Sequence, residues 1–119
     1  MAKRKLKGLI LAVALLGGAA AFLLYRRAGD LTPAEAHRLV EGGALLVDVR
    51  TPAEFAGGHL PGAINVPVQE LPARAGELGP PERPKVLYCR SGNRSAAATA
   101  VLQKAGHTSV HNLGAMSRW

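Results

Sequence analysis

A chain of 119 residues has room for one small domain and little besides. The formal net charge of +7 resembles that of a nucleic-acid binder, but six of the 15 Lys and Arg residues stand at or before Arg27, leaving nine against all 8 Asp and Glu residues in the remainder. The basicity belongs to the N-terminal segment, and no nucleic-acid partner is expected, because such a partner needs a basic face on the folded part. A single cysteine, Cys89, excludes an internal disulfide and leaves the redox compartment open.

Residues 1–7 form a basic tail with Lys3, Arg4, Lys5 and Lys7. Residues 8–25 carry no charge and are rich in Leu, Ala, Ile and Val, with Lys7 and Arg26 on either side. As a helix this run measures roughly 27 Å, close to a hydrocarbon core of about 30 Å. It is predicted as a transmembrane helix that makes the protein single-pass; Gly17-Gly18 are tolerated in lipid, and Tyr25 sits where an interfacial aromatic is favoured. The rival reading is a cleaved signal peptide with Ala19-Ala20-Ala21 at its small-residue site. The apolar run continues past those alanines to Arg26-Arg27, which favours the uncleaved anchor. The basic residues before the run lean toward a cytoplasmic N-terminus, against which stand Arg26, Arg27 and Arg38 after it, so the side of the membrane stays open.

Residues 26–30 read as a linker, and the domain is expected over 31–119. Thr32-Pro33-Ala34-Glu35 supplies an N-cap, a proline at the first helical position and a Glu three residues after the cap, predicting a helix to about Glu41 that stops at Gly42-Gly43. Ala44 to Val49 is a nearly continuous apolar run holding Asp48, as in a central parallel strand covered on both faces. Thr51-Pro52-Ala53-Glu54 repeats the capping pattern and predicts a short helix ended by Gly57-Gly58. A short strand follows at Ala63 to Val66, and Pro67 stops it. Five prolines and two glycines between Pro67 and Pro84 predict a connection with at most a turn or two of helix around Gln69 to Ala75. Lys85-Val86-Leu87-Tyr88 reads as a buried strand, about Arg94 to Ala105 as a helix stopped by Gly106, and Ser109 to His111 as a last short strand. Alternation of this kind predicts an α/β fold, a small open parallel sheet of four to five strands with helices on both faces.

Between the strand and the helix lies Cys89-Arg90-Ser91-Gly92-Asn93-Arg94-Ser95. A strand that turns tightly into a helix aims backbone N–H groups, and the positive end of the helix dipole, at whatever lies inside the loop. Cysteines so placed, or beside cations, fall from a thiol pKa of about 8.5 to roughly 3.5–7.5. Arg90 and Arg94 share the loop, Gly92 lets the backbone turn, and Ser91, Asn93 and Ser95 are small polar groups suited to turns and caps. The loop reads as an anion cradle with a thiolate nucleophile at its base. The bland alternative is a buried free cysteine acting as a small hydrophobe.

CRSGNRS after an apolar strand resembles the active-site loop of the rhodanese-like sulfurtransferase domain. LLVDVRTPAEFAGGHLPGAINVPVQEL, Leu45 to Leu71, is similar to that family's other signature, and NLGAMSRW resembles its closing segment. The match runs from about Leu31 to Trp119, in the family's order. It departs from the family where the chain ends at Trp119 without a further helix or tail, and where the closing Gly-Gly pair reads Gly114-Ala115. The resemblance implies a thiosulfate sulfurtransferase-like enzyme without metal or organic cofactor. Cys89 would take sulfane sulfur from thiosulfate or a persulfide donor and pass it to a thiol or to cyanide. Backbone N–H groups from Arg90 to Ser95 would stabilise the persulfide, and the Arg90 and Arg94 guanidinium groups would hold the donor's oxyanion end. Asp48 and Arg50 are carried over as supporting residues, with a plain local ion pair as the alternative. Persulfide donors and thiols abound in a reducing cytoplasm, which pulls against the charge-based orientation of the anchor.

Other residues have plain readings. Glu54 is expected as a helix-capping residue at N3 rather than a catalytic acid, and His59 as structural. His37, His107 and His111 are scattered, and Trp119 is a packing residue or a wall of the pocket. Two other functions fit parts of the pattern. Phosphatase-type relatives carry a loop one residue longer than the C-x4-R of Cys89 to Arg94. A non-catalytic membrane-tethered binding module is the second.

Overall fold

The computed structural model describes residues 31–119. The elements run α1 (Pro33–Glu41), β1 (Leu45–Asp48), α2 (Pro52–Ala56), β2 (Ile64–Asn65), α3 (Leu71–Arg74), β3 (Lys85–Cys89), α4 (Asn93–Lys104) and β4 (Val110–Ala115). Short 3-10 turns flank α3 at Val68–Glu70 and Ala75–Leu78, and another closes the chain at Met116–Arg118. Among the described residues no helix is long and apolar enough to cross a membrane. The predicted span over residues 8–25 and its linker lie outside them.

The two threonine caps form as their spacing requires. Thr32 Oγ1 accepts from the Glu35 N–H at 3.2 Å, and Thr51 makes a reciprocal capping box with Glu54. Glycines end both helices at Gly42 and Gly57. Between Pro67 and Pro84 the chain is more helical than its prolines suggest: turns follow one another from Val68 to Leu78. Leu71 and Leu78 are completely buried there, so hydrophobic burial outweighs weak propensity.

Among the described residues all four strands are parallel, in the order β2-β1-β3-β4. The last strand outruns its expected end at His111, continuing to Ala115 beside Cys89. A bulge makes this possible: Leu87 faces Asn112 and Tyr88 faces Gly114, leaving Leu113 as the extra residue. Side chains alternate across the sheet. On one face Val47, Leu87 and Cys89 pack with Val66, Leu71, Leu78 and, from α4, Ala98 and Leu102. On the other, Leu46, Val86, Tyr88 and Leu113 meet Ala36 of α1, with Leu39 and Trp119 against them. Helices thus cover both faces. Because every strand points the same way, Asp48, Asn65, Cys89 and Ala115 end at one edge of the sheet, where ligands of such folds bind.

Candidate functional site

Cys89 is the last residue of β3 and is completely buried. Its Sγ accepts from the Gly92 N–H at 2.9 Å, and Ser95 Oγ stands 3.5 Å away while donating to the Gly92 carbonyl at 3.1 Å. Gly92 is required by its backbone: its φ of +104° is a conformation that L side chains rarely adopt, while the nearest atom to a Cβ there, the Gly114 Cα of β4 at 3.6 Å, leaves ordinary van der Waals room. Unlike α1 and α2, helix α4 has no side-chain cap, since its N-cap position is Gly92 itself. The N–H groups that a Ser or Thr cap would have occupied are left for the sulfur.

The charge state follows. Burial works to push the thiol up, but hydrogen bonding with the Ser95 hydroxyl and with the backbone N–H groups of Ser95, Gly92 and Ser91 outweighs it, so Cys89 lies below the ordinary thiol value. Arg94 lies close enough to feel the sulfur's charge.

The other residues expected at the site divide into rim, floor and brace. Arg90, Ser91 and Asn93 are exposed on the rim, and Ser95 is buried at the floor. Arg94 is half-buried and turned to Glu54: Nη1 donates to Oε1 at 2.7 Å and Nη2 to Oε2 at 3.0 Å. Glu54 therefore combines its capping role with an ion pair across the mouth, which local spacing could not reveal, its partner being 40 positions away. Asp48 and Arg50 form a buried pair, with Arg50 Nη2 2.7 Å from Oδ2, the Arg50 backbone N–H on Oδ1 at 2.9 Å and the guanidinium over the Tyr88 ring. Arg50 Nη2 also donates to the Gly58 carbonyl at 2.7 Å, and Asn65 Nδ2 ties the Asp48 and Arg50 carbonyls. The pair sits over the Tyr88 ring and, through the Gly58 carbonyl, braces the segment that carries Glu54.

The histidines do not converge. His37 stacks on Trp119 with centroids 3.8 Å apart, His59 stacks on Phe55 at 3.7 Å and bonds its carbonyl, and His111 meets Ser109. His107 lies buried near Lys85. Trp119 is thus part of the α1 packing and not a wall of the loop.

The sequence model of the rhodanese-like domain family matches residues 32–119. The chain belongs to that family. A sulfurtransferase of Allochromatium vinosum is 47% identical over 76 residues, covering 63% of this chain and 70% of the relative. The human thiosulfate:glutathione sulfurtransferase is 38% identical over 95 residues, covering 68% of this chain and 83% of the relative. Among solved structures, a human single-domain sulfurtransferase superposes with a TM-score of 0.65 at 28% identity, over 76% of this chain and 91% of the other. Sulfur transfer is the activity named for these relatives of this rhodanese-like domain.

Proposed function

We propose that this domain moves sulfane sulfur from thiosulfate or a persulfide to a thiol, or to cyanide in an assay, through a persulfide on Cys89. The observation that supports it most is the buried sulfur held by the Gly92 N–H beside the uncapped start of α4. In the first half-reaction a lone pair of the Cys89 thiolate forms a bond to the donor's outer sulfur. The donor's S–S bond breaks, and its electron pair leaves on sulfite or on the donor thiolate. In the second, the acceptor attacks the outer sulfur of Cys89–S–S⁻, and the pair of that S–S bond returns to Cys89. The N–H groups that hold the thiolate are placed to hold the persulfide. Since Cys89 has no exposed surface, each half-reaction requires the loop around the sulfur to open to the incoming group.

The same reading places the domain at a membrane, tethered by residues 8–25; resistance of the full-length protein to alkaline extraction from membranes tests that tether. For the chemistry, full-length protein in mild detergent is incubated with thiosulfate, analysed by mass, and then treated with cyanide. The expected result is one added sulfur atom on Cys89 that departs as thiocyanate. A folded protein that takes up sulfur from neither thiosulfate nor an organic persulfide would be a non-catalytic binding module instead.

A further inference from the structure

The mouth of the loop holds less positive charge than its sequence suggests. Of the charged groups that surround it, Arg50 is cancelled by Asp48 and Arg94 by Glu54. Arg90 is the one loop cation with no hydrogen bond or ion pair among the described residues. Glu54 is firmly set: besides Arg94, its Oε1 accepts from the Thr51 N–H at 3.2 Å and from the Thr51 hydroxyl at 3.1 Å. Arg94 first, and then the Thr51 N–H, push its carboxyl down to about 2, so the pair is permanent across working pH.

The geometry of the pair matters as much as its charge. Glu54 takes Arg94 end-on, through Nη1 and Nη2, and a guanidinium has five N–H donors. Arg94 therefore keeps hydrogen bonds to offer along its Nε side while bringing almost no net charge. Besides the Cys89 thiolate itself, a donor at this mouth meets one uncompensated cation and a fixed carboxylate, an arrangement that accommodates one negative charge better than two. A dianion has to compete with Glu54 for Arg94.

We propose that Glu54 is a specificity-determining residue, which tunes the site to donors that bring one negative charge, an organic persulfide or thiosulfonate, over the thiosulfate dianion. The inference rests on the sulfur-transfer reading above and names the substrate class of that site.

Full-length wild type and Glu54→Gln are compared with thiosulfate and with monoanionic methanethiosulfonate as donors, cyanide as acceptor, at one ionic strength. In Glu54→Gln, kcat/KM for thiosulfate rises about fivefold while that for methanethiosulfonate changes by about twofold or less, the scale of one partly exposed charge pair. An equal change for both donors, a fall for thiosulfate, or no change overturns the proposal. Thr51→Ala removes the cap hydroxyl and keeps the carboxylate on Arg94, so it retains the wild-type ratio between donors. A ratio that moves as far in Thr51→Ala as in Glu54→Gln assigns the effect to the cap and overturns the charge account. If Glu54→Gln does not fold, Glu54→Ala takes its place, and failure of both to fold makes Glu54 a stability residue and overturns the proposal. If wild type transfers sulfur from neither donor, the sulfur-transfer reading has failed on its own. Thiosulfate binding to Cys89→Ser, with and without Glu54→Gln, then decides: about threefold tightening supports the role of Glu54, and unchanged binding overturns it.

Discussion

The two ends of β3 both bury an ionisable side chain, and they do so in opposite ways. At its start Lys85 is completely buried, its Nζ donating to the Pro80 carbonyl at 3.0 Å and the Arg83 carbonyl at 2.8 Å. At its end the Cys89 sulfur is held by N–H groups. Both groups titrate below their ordinary values, for contrary reasons. Burial lowers Lys85 by disfavouring its charge, whereas at Cys89 hydrogen bonds overcome burial and favour the charge. The backbone supplies dipoles of either sign, carbonyls from the 80–83 turn and N–H groups from the 90–95 loop. The two ends thus use the same backbone resource with opposite sign: carbonyls hold a cation at Lys85, and N–H groups hold the sulfur at Cys89.

The largest expected break in this comparison is Cys89→Ser. Sulfur transfer falls to background and no persulfide mass appears, while the thermal midpoint changes little, because the smaller hydroxyl keeps the Gly92 bond. Next comes Lys85→Ala, which removes a buried aliphatic stem and orphans two carbonyls; denaturant unfolding should register a loss of about 2–4 kcal/mol. The folded fraction retains wild-type sulfur transfer per molecule, showing that the two ends are separable.

Ser95→Ala sharpens the comparison at the chemical end. The Ser95 hydroxyl, which donates to the Gly92 carbonyl beside the protonated thiol, turns to the sulfur when Cys89 ionises, so its removal raises the Cys89 pKa. The iodoacetamide alkylation profile then moves to higher pH, and an unmoved profile would show that backbone N–H groups alone set the thiolate.

The smallest effect concerns pH and stability. His107, whose buried Nδ1 has no partner, is held below its ordinary 6.5 by burial first and by the Lys85 charge second. The unfolded chain therefore takes up the proton first as pH falls, and stability is lost from 6.5 downward through the folded value. Cys89 has the same sign in a higher window: its contribution is present above its ordinary 9.0 and is lost as pH falls through the folded value. Lys85 adds a cost at neutral pH that is relieved as pH rises toward 10.5. Melting temperature should climb with pH from 5 upward, and His107→Phe should flatten the acidic part of that climb.

Read from its residues alone, the chain already declares its alternation of elements, its threonine-proline caps, its buried strands and the thiolate at the start of α4. Each of these depends on residues within about four positions of one another, where spacing translates directly into geometry. What local spacing cannot carry is which loops meet at the sheet edge. The order β2-β1-β3-β4 brings the segment after β1 beside the loop after β3, and so turns Glu54, a capping residue by sequence, into the partner of Arg94. It also extends β4 far enough for Gly114 to lie under Gly92, and seats Trp119 on His37 rather than over the sulfur. The loop that holds the Cys89 sulfur was legible because a strand, a turn and a helix make it locally; the charge that surrounds it was decided by tertiary structure, because electrostatic partners are chosen by distance in space and not along the chain.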